Sequence, residues 1–411
     1  MTETAEVMFD PADPELRRDP YPVYRRMRSQ APAWRSPEGV YYFSRYQDCF
    51  ALFRSPALSY DPTLAKAFRG TLSADPGQRE RQLAEFRAGR TVLETDPPEH
   101  ARLRSLFNQA FTPRTLAASG PLISRLADEL LNGLTEPRAD LVADFAVMLP
   151  ILVICEMLGV APEERHQFMA IGHAMVATVD PQVPPDERIA ASKRLRDYIA
   201  VLVQIRREHP EDDLMTRLIE AARDGRVSED ELLSNTGLLL IAGFETTTSL
   251  IANGIYQLIQ HPAQRAALGA EPGLARTAVE EVLRFDGPVH MMRPRTITGD
   301  ARIGDADLHA GDAVVPLIAA ANRDPGEFAD PETFDISRAQ NRHMGFGLGH
   351  HTCVGAALAR MEAQAAIPRV FERFPDLALS PEEEPRMRPH LTVRGFETLP
   401  VTLSTSHPRR P

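Results

Sequence analysis

The sequence predicts a mainly α protein with a small β region, and three patterns carry that expectation. Apolar residues recur at helical spacing through the middle of the chain, strand-like stretches are short and lie toward the ends, and prolines collect between periodic segments.

Taken in order, the first strand-like stretch runs from Val40 to Phe43. Helical patterns then cover Leu122 to Leu134, Phe145 to Leu158, Ile189 to Arg207, Ser228 to Leu258 and Ala275 to Phe285. Further strand-like stretches follow at Thr296 to Ile303, Ala313 to Pro316 and Thr392 to Leu403. Early and late strands are expected to pair, which makes residues 1–411 one interlocked domain. A last helix opens near Ala356, and Pro368 inside it removes a backbone donor and predicts a kink.

Composition narrows the function. With 43% hydrophobic and 25% charged residues, the 411-residue chain has enough apolar material for a large core. The formal net charge of -11 leaves no electrostatic footprint for nucleic acid. Three scattered cysteines, Cys49, Cys155 and Cys353, make no disulfide framework and fit a reducing, cytoplasmic setting. The first residues lack the basic start and apolar core of a signal peptide. Gly237 to Ile259 is apolar and long enough to span a bilayer, but Glu245, three threonines and Asn253 interrupt it, so a buried core helix is expected and no membrane partner. A monomer is expected.

The chemistry concentrates at Cys353. The segment Gly345-Phe346-Gly347-Leu348-Gly349-His350-His351-Thr352-Cys353-Val354-Gly355 precedes Ala356-Ala357-Leu358-Ala359-Arg360, the start of a helix. A glycine-rich loop thus delivers a cysteine to a helix N-terminus, where unpaired N–H groups and the positive end of the dipole favour the thiolate. Glycines also let backbone approach a flat, bulky cofactor. His-His-x-Cys could suggest zinc, but no further ligands follow at short spacing.

The stretch Phe346 to Arg360 resembles the haem-binding signature of the cytochrome P450 superfamily. That resemblance implies a helical body around haem b with minor antiparallel sheets, Cys353 as the ligand of the iron, Phe346 near its sulfur, Gly355 close to the cofactor, and His351 on a haem propionate. A thiolate ligand favours O–O cleavage. Ala242-Gly243-Phe244-Glu245-Thr246 is similar to the family's oxygen-activation motif. Glu245 and Thr246 are the catalytic candidates, Ala242 shares a face with Thr246, and Gly243 leaves room for the helical ladder to open. Asp96 to Arg104 resembles the segment supplying His100 and Arg104 to the propionates, and Arg295 fits the third position, with Arg293 competing. Glu281 and Arg284, three apart on a helix, look like the family's structural ion pair, with Arg338 as third member.

By family position the substrate pocket comprises Leu238, Ile241, Ala242, Met291, Met292, Thr392 and Val393, a mainly apolar set suited to a lipophilic natural product. The resemblance implies a monooxygenase that hydroxylates or epoxidises a small organic substrate with O2 and electrons from a ferredoxin and its reductase. A peroxygenase or a haem-based non-oxygenase is the alternative. Arg104, Arg342 and Arg360 are candidates for a basic patch that meets an acidic ferredoxin.

Overall fold

The computed structural model describes residues 9–11, 13–160, 184–223, 225, 227–389 and 391–403. Its body is built from α1 (Glu99–Ala110), α2 (Pro113–Gly133), α3 (Met148–Leu158), α4 (Pro185–Glu208), α5 (Leu214–Ala222), α6 (Glu229–Gln260), α7 (Ala275–Phe285) and α8 (Ala356–Arg373). The long α6 is the axle: α3, α4, α7 and α8 pack on it, while α2 bridges α3 and α8. All five helical patterns in the sequence correspond to these helices; most ends shift by a few residues, but α2 begins at Pro113, nine residues before the expected Leu122, and the pattern expected from Phe145 starts as a π-turn over Val142–Ala146.

The start of α6 is written locally. Ser228 Oγ accepts from the Glu231 N–H at 3.2 Å, and Glu231 accepts in return from the Ser228 N–H at 2.9 Å, a capping box that satisfies two of the helix's unpaired donors. By length and composition α6 could cross a membrane, yet 67% of its most apolar window is buried inside the protein. It is a core helix with Leu239, Leu240, Leu250, Ile251, Ile255 and Leu258 inside.

Strands β1 (Ala33–Arg35), β2 (Val40–Phe43), β3 (Leu58–Ser59), β4 (Arg138–Asp140), β5 (Arg295–Ile297), β6 (Ala301–Ile303), β7 (Ala306–Leu308), β8 (Ala313–Pro316), β9 (Ala378–Leu379), β10 (Arg386–Met387), β11 (Phe396–Thr398) and β12 (Pro400–Thr402) form small sheets. The largest has the order β1-β2-β8-β5-β3, so early and late strands do pair. One pair departs from the antiparallel expectation: β2 runs parallel to β8, with Val40 opposite Ala313. A parallel partner needs a long crossover, and here nearly the whole helical body is that crossover. The stretch expected as one strand from Thr296 to Ile303 divides into β5 and a hairpin of β6 with β7. Within Thr392 to Leu403 only β11 and β12 are strands.

α8 runs unbroken through Pro368 from Ala356 to Arg373. The proline interrupts neither the helix nor its last turns, and Arg369 Nη1 donates to the Ala365 carbonyl at 3.0 Å in the proline-bearing turn. Glu281 and Arg284 are fully buried on α7, bidentate at 2.8 and 2.7 Å, and Arg338 Nε reaches Glu281 at 3.1 Å. Arg284 also donates to the carbonyls of Asn322, Pro331 and Thr333. A buried charge pair needs such added bonds to offset desolvation, and this triad ties α7 to the 322–338 loop.

Candidate functional site

The Cys353 loop is shaped by two glycines with positive φ, Gly347 at 66° and Gly349 at 73°, conformations that L side chains rarely adopt. The loop closes on itself where the Cys353 N–H donates to the Phe346 carbonyl at 2.9 Å. The sulfur accepts from the N–H groups of Gly355 and Ala356 at the start of α8. Burial nevertheless pushes the Cys353 thiol above its ordinary value, and these N–H groups with Arg104 and Arg360 only oppose that rise. The helix start favours the thiolate as expected, but desolvation outweighs it in the protein alone. Cys353 keeps accessible surface while Cys49 and Cys155 are buried, so of the three only Cys353 can receive a ligand.

Around it gather the side chains expected to hold carboxylates. The ring centroids of His100 and His351 lie 4.2 Å apart. The Arg295 guanidinium carbon lies 4.6 Å from the centroid of Tyr60, whose ring stacks on His351 at 3.6 Å. His100 Nε2, His351 Nε2 and Arg295 Nε are buried and have no hydrogen-bond partner among the described residues. Burial first, then neighbouring positive charge, lowers His100 to about 4 and His351 to about 2. Burial also lowers Arg295 and Arg104, and the Cys353 side chain opposes the shift in Arg104. Orphaned buried donors are costly, and a set of them beside a cysteine fits haem, whose propionates offer the missing acceptors. Between the two competing arginines the structure favours Arg295, half-buried on β5, over the exposed Arg293.

A zinc reading fares worse. Among the described residues Asp96, His350 and His351 offer ligand atoms within 4.8 Å of one another, without Cys353. Asp96 is already engaged, by the Tyr60 N–H at 2.9 Å and by the Ser59 hydroxyl.

On α6, Ala242 is exposed and Thr246 partly so, although Phe244, Glu245 and the residues from Thr247 to Ile255 are buried. Thr246 Oγ1 donates to the Ala242 carbonyl at 2.8 Å, and Thr247 Oγ1 to that of Gly243 at 2.8 Å. The helix stays continuous here, so the expected opening of the ladder is replaced by hydroxyls bonding back one turn. Glu245 is buried and forms a 2.9 Å ion pair with Arg388, whose side chain is 10% exposed. Sequence reasoning missed Arg388. It follows β10, and the β10–β11 hairpin presses on α6 at Gly395, where a Cβ would collide with Ser249, one turn from Glu245. That glycine was the available signal.

The pocket residues fall into two groups. Val289 and His290, just before Met291 and Met292, join the Thr392–Val393 segment through the Val289–Val393 bridge and the His290 N–H to Thr392 carbonyl bond at 3.3 Å. Leu238, Ile241 and Ala242 lie on α6, where Leu238 and Ile241 fringe the helical core, whereas Met292 packs with the sheet-side core and Met291 with the N-terminal core. All seven retain some exposure. Of the basic-patch candidates, Arg360 is held by Glu280 at 2.7 and 2.9 Å and lies 4.4 Å from the Phe346 ring centroid, and Arg104 is half-buried. Only Arg342 is exposed.

A family model described as Cytochrome P450 matches residues 164–272 and 273–405. The polyketide biosynthesis cytochrome P450 PksS of Bacillus subtilis is 36% identical over 410 residues, 97% of this chain and 99% of its own. Its solved structure superposes with a TM-score of 0.87, covering 97% of this chain and 100% of that one. Vitamin D(3) 25-hydroxylase of Pseudonocardia autotrophica is 37% identical, with 98% of both chains covered. Ligand-free CYP164A2 of Mycobacterium smegmatis is 39% identical with a TM-score of 0.84, over 95% of this chain and 98% of that one.

Proposed function

The chain belongs to the cytochrome P450 family and is a haem-dependent monooxygenase, and we propose that it oxidises a small, largely apolar natural product with electrons from a ferredoxin. The observation that carries the proposal is the glycine-shaped loop presenting Cys353 amid the orphaned donors of His100, His351 and Arg295. In this reading Cys353 ligates the iron, Phe346 and Gly355 flank it, and His100, Arg104, Arg295 and His351 hold the propionates. Haem so ligated supplies the activation of O2, one atom going to substrate and the other to water.

The chain's own residues supply protons and shape. Thr246, turned from the Ala242 carbonyl, donates a hydrogen bond from the face of α6 where Ala242 is exposed. Glu245 moves protons toward it from the Arg388 side. An acid and an alcohol together favour the monooxygenase over a peroxygenase or a non-oxygenase haem enzyme. Leu238, Ile241, Met291, Met292, Thr392 and Val393 exclude water and orient substrate. Polyketide biosynthesis and vitamin D(3) hydroxylation in two relatives' names support an apolar skeleton. Arg342, exposed beside the cysteine loop, is the remaining candidate contact for an acidic ferredoxin, in a monomer that works in the cytoplasm.

The test is the absorption spectrum of the reduced protein under carbon monoxide. Wild type shows the red-shifted thiolate band and Cys353→Ala loses it, whereas Cys49→Ala and Cys155→Ala keep it. Retention of the band in Cys353→Ala would overturn the ligand assignment.

A further inference from the structure

The chain carries a net charge of -11, yet residues 63–90 include Lys66, Arg69, Arg79, Arg81, Arg87 and Arg90 against Asp75, Glu80 and Glu85. Three of these arginines, Arg69, Arg79 and Arg87, line one cleft of about 580 Å³ together with Leu64, Leu72 and Leu83. No carboxylate lines it among the described residues. We propose that this cleft is an anion-binding site that takes the carboxylate or phosphate head of an amphiphilic ligand.

The arginines here differ from their neighbours. Arg90 is paired with Asp61 at 2.9 Å, and Arg102 with Glu231 at 2.6 Å. In the cleft the bonds run instead to main-chain carbonyls: Arg69 Nε to Thr63 at 3.0 Å, Arg79 Nε to Ser73 at 3.1 Å, and Arg79 Nη2 to Ala74 at 3.1 Å. Those bonds fix the guanidinium planes of Arg69 and Arg79 while consuming only part of their donors. A guanidinium held by its loop is preorganised for an oxyanion, which it can meet with two parallel hydrogen bonds. Arg69, Arg79 and Arg87 form no ion pair among the described residues, so three like charges face one concavity, and an anion relieves their repulsion. The leucines supply the apolar wall that an alkyl or polycyclic tail requires.

Position connects the cleft to the candidate active site. Thr63 and Leu64 belong to the turn Pro62–Leu64, which packs on β5, the strand of Arg295. Two residues earlier, Tyr60 stacks on His351 and its carbonyl accepts from Arg295 Nη1 at 3.5 Å. A ligand held by its head in the cleft therefore lies against the segment that borders the cofactor residues. An extended polyanion is disfavoured by the acidic whole and by the concave shape, so the occupant is a small molecule. The inference deepens the proposed function by naming an acidic handle on the substrate, and it rests on that reading only in linking the cleft to turnover.

The test is calorimetric titration of the full-length holoprotein with decanoate, decyl phosphate and 1-decanol, which share a tail and differ in head group. Wild type is expected to bind the better anion at least about tenfold more tightly than the alcohol, and the order of carboxylate and phosphate identifies the natural head. The double variant Arg79→Gln/Arg87→Gln should lose that preference. Arg81→Gln, which removes one charge outside the cleft from the helix Pro76–Ala88 that carries Arg79 and Arg87, should keep it. Equal binding of anion and alcohol, no binding of any probe, a preference that survives the double variant, or an equal loss in Arg81→Gln would each overturn the site. The carbon monoxide band, recorded on every variant, reports separately on the haem-thiolate reading.

Discussion

Glu362 sits on α8, nine residues past Cys353, with only 2% of its surface exposed. Its Oε2 has no hydrogen-bond partner among the described residues, and burial pushes its carboxyl from the ordinary 4.5 up to about 8. The folded protein therefore holds a proton on Glu362 at neutral pH that the unfolded chain releases. Between pH 4.5 and 8 the folded state binds more protons, so stability falls as pH rises through that window and levels off above it. At 1.36 kcal/mol per pH unit, the loss from pH 5 to pH 8 amounts to about 3 kcal/mol, a burial-derived upper bound.

Glu362→Gln keeps the shape and removes the titration. Whatever the buried amide costs, its cost is the same at every pH. The measurement is thermal unfolding of wild type and variant at pH 5, 6, 7 and 8. The variant's Tm should gain on the wild type by about 4 °C across that range, given an unfolding entropy of about 2 cal/mol/K per residue. A difference that stays flat with pH would show that Glu362 ionises normally in the fold, and the reasoning from burial would fail.

Other outcomes follow from the same geometry. Thr246→Ala should still bind substrate and accept electrons but divert much of the oxygen consumed to hydrogen peroxide; product and peroxide per NAD(P)H oxidised measure this, and full coupling would refute the role. Arg388→Leu removes the 2.9 Å partner of Glu245 and should cost about 3 kcal/mol of stability and slow turnover. Partial recovery in Arg388→Lys is expected, and unchanged turnover in Arg388→Leu would sink the pairing argument. Glu280 pulls the other way from Glu362: burial raises its carboxyl, but hydrogen bonds from His343 and Arg360 win and hold it down at about 2. Its stabilisation is complete above pH 4.5 and is lost as pH falls toward 2, so Glu280→Gln should show a shallower acid limb in unfolding against pH.

What the sequence disclosed tracks how local each feature is. The cysteine loop is one contiguous run whose glycines, cysteine and helix start constrain each other, and Glu281 with Arg284 lie one turn apart, so both were readable. The capping box at Ser228 and Glu231 marks the start of α6 for the same reason. Arg388 meets Glu245 across 143 residues and Arg360 meets Glu280 across 80, and no spacing rule links such pairs. The same limit hid the stacking of Tyr60 on His351 and the parallel pairing of β2 with β8. A thiolate at a helix N-terminus was legible as a tendency, but the desolvation opposing it is a property of the surrounding fold and has no local signature.

The arginines then separate by the company they keep. Arg284, Arg338, Arg360 and Arg102 each meet a carboxylate and join elements distant in sequence, which is what a folded chain needs from a charge it cannot leave unpaired. Arg104 and Arg295, together with Arg69, Arg79 and Arg87, form no ion pair among the described residues, although acids outnumber bases in this chain by 57 to 46. With acids in excess, cations that stay unpaired beside the cysteine or inside a concave cleft have been kept apart from the chain's own carboxylates. Bonds to loop carbonyls occupy part of Arg69 and Arg79, but carbonyls do not neutralise the charge. Duty toward an anion supplied from outside explains the separation, whether a propionate at Arg104 and Arg295 or a ligand's head group at Arg79 and Arg87.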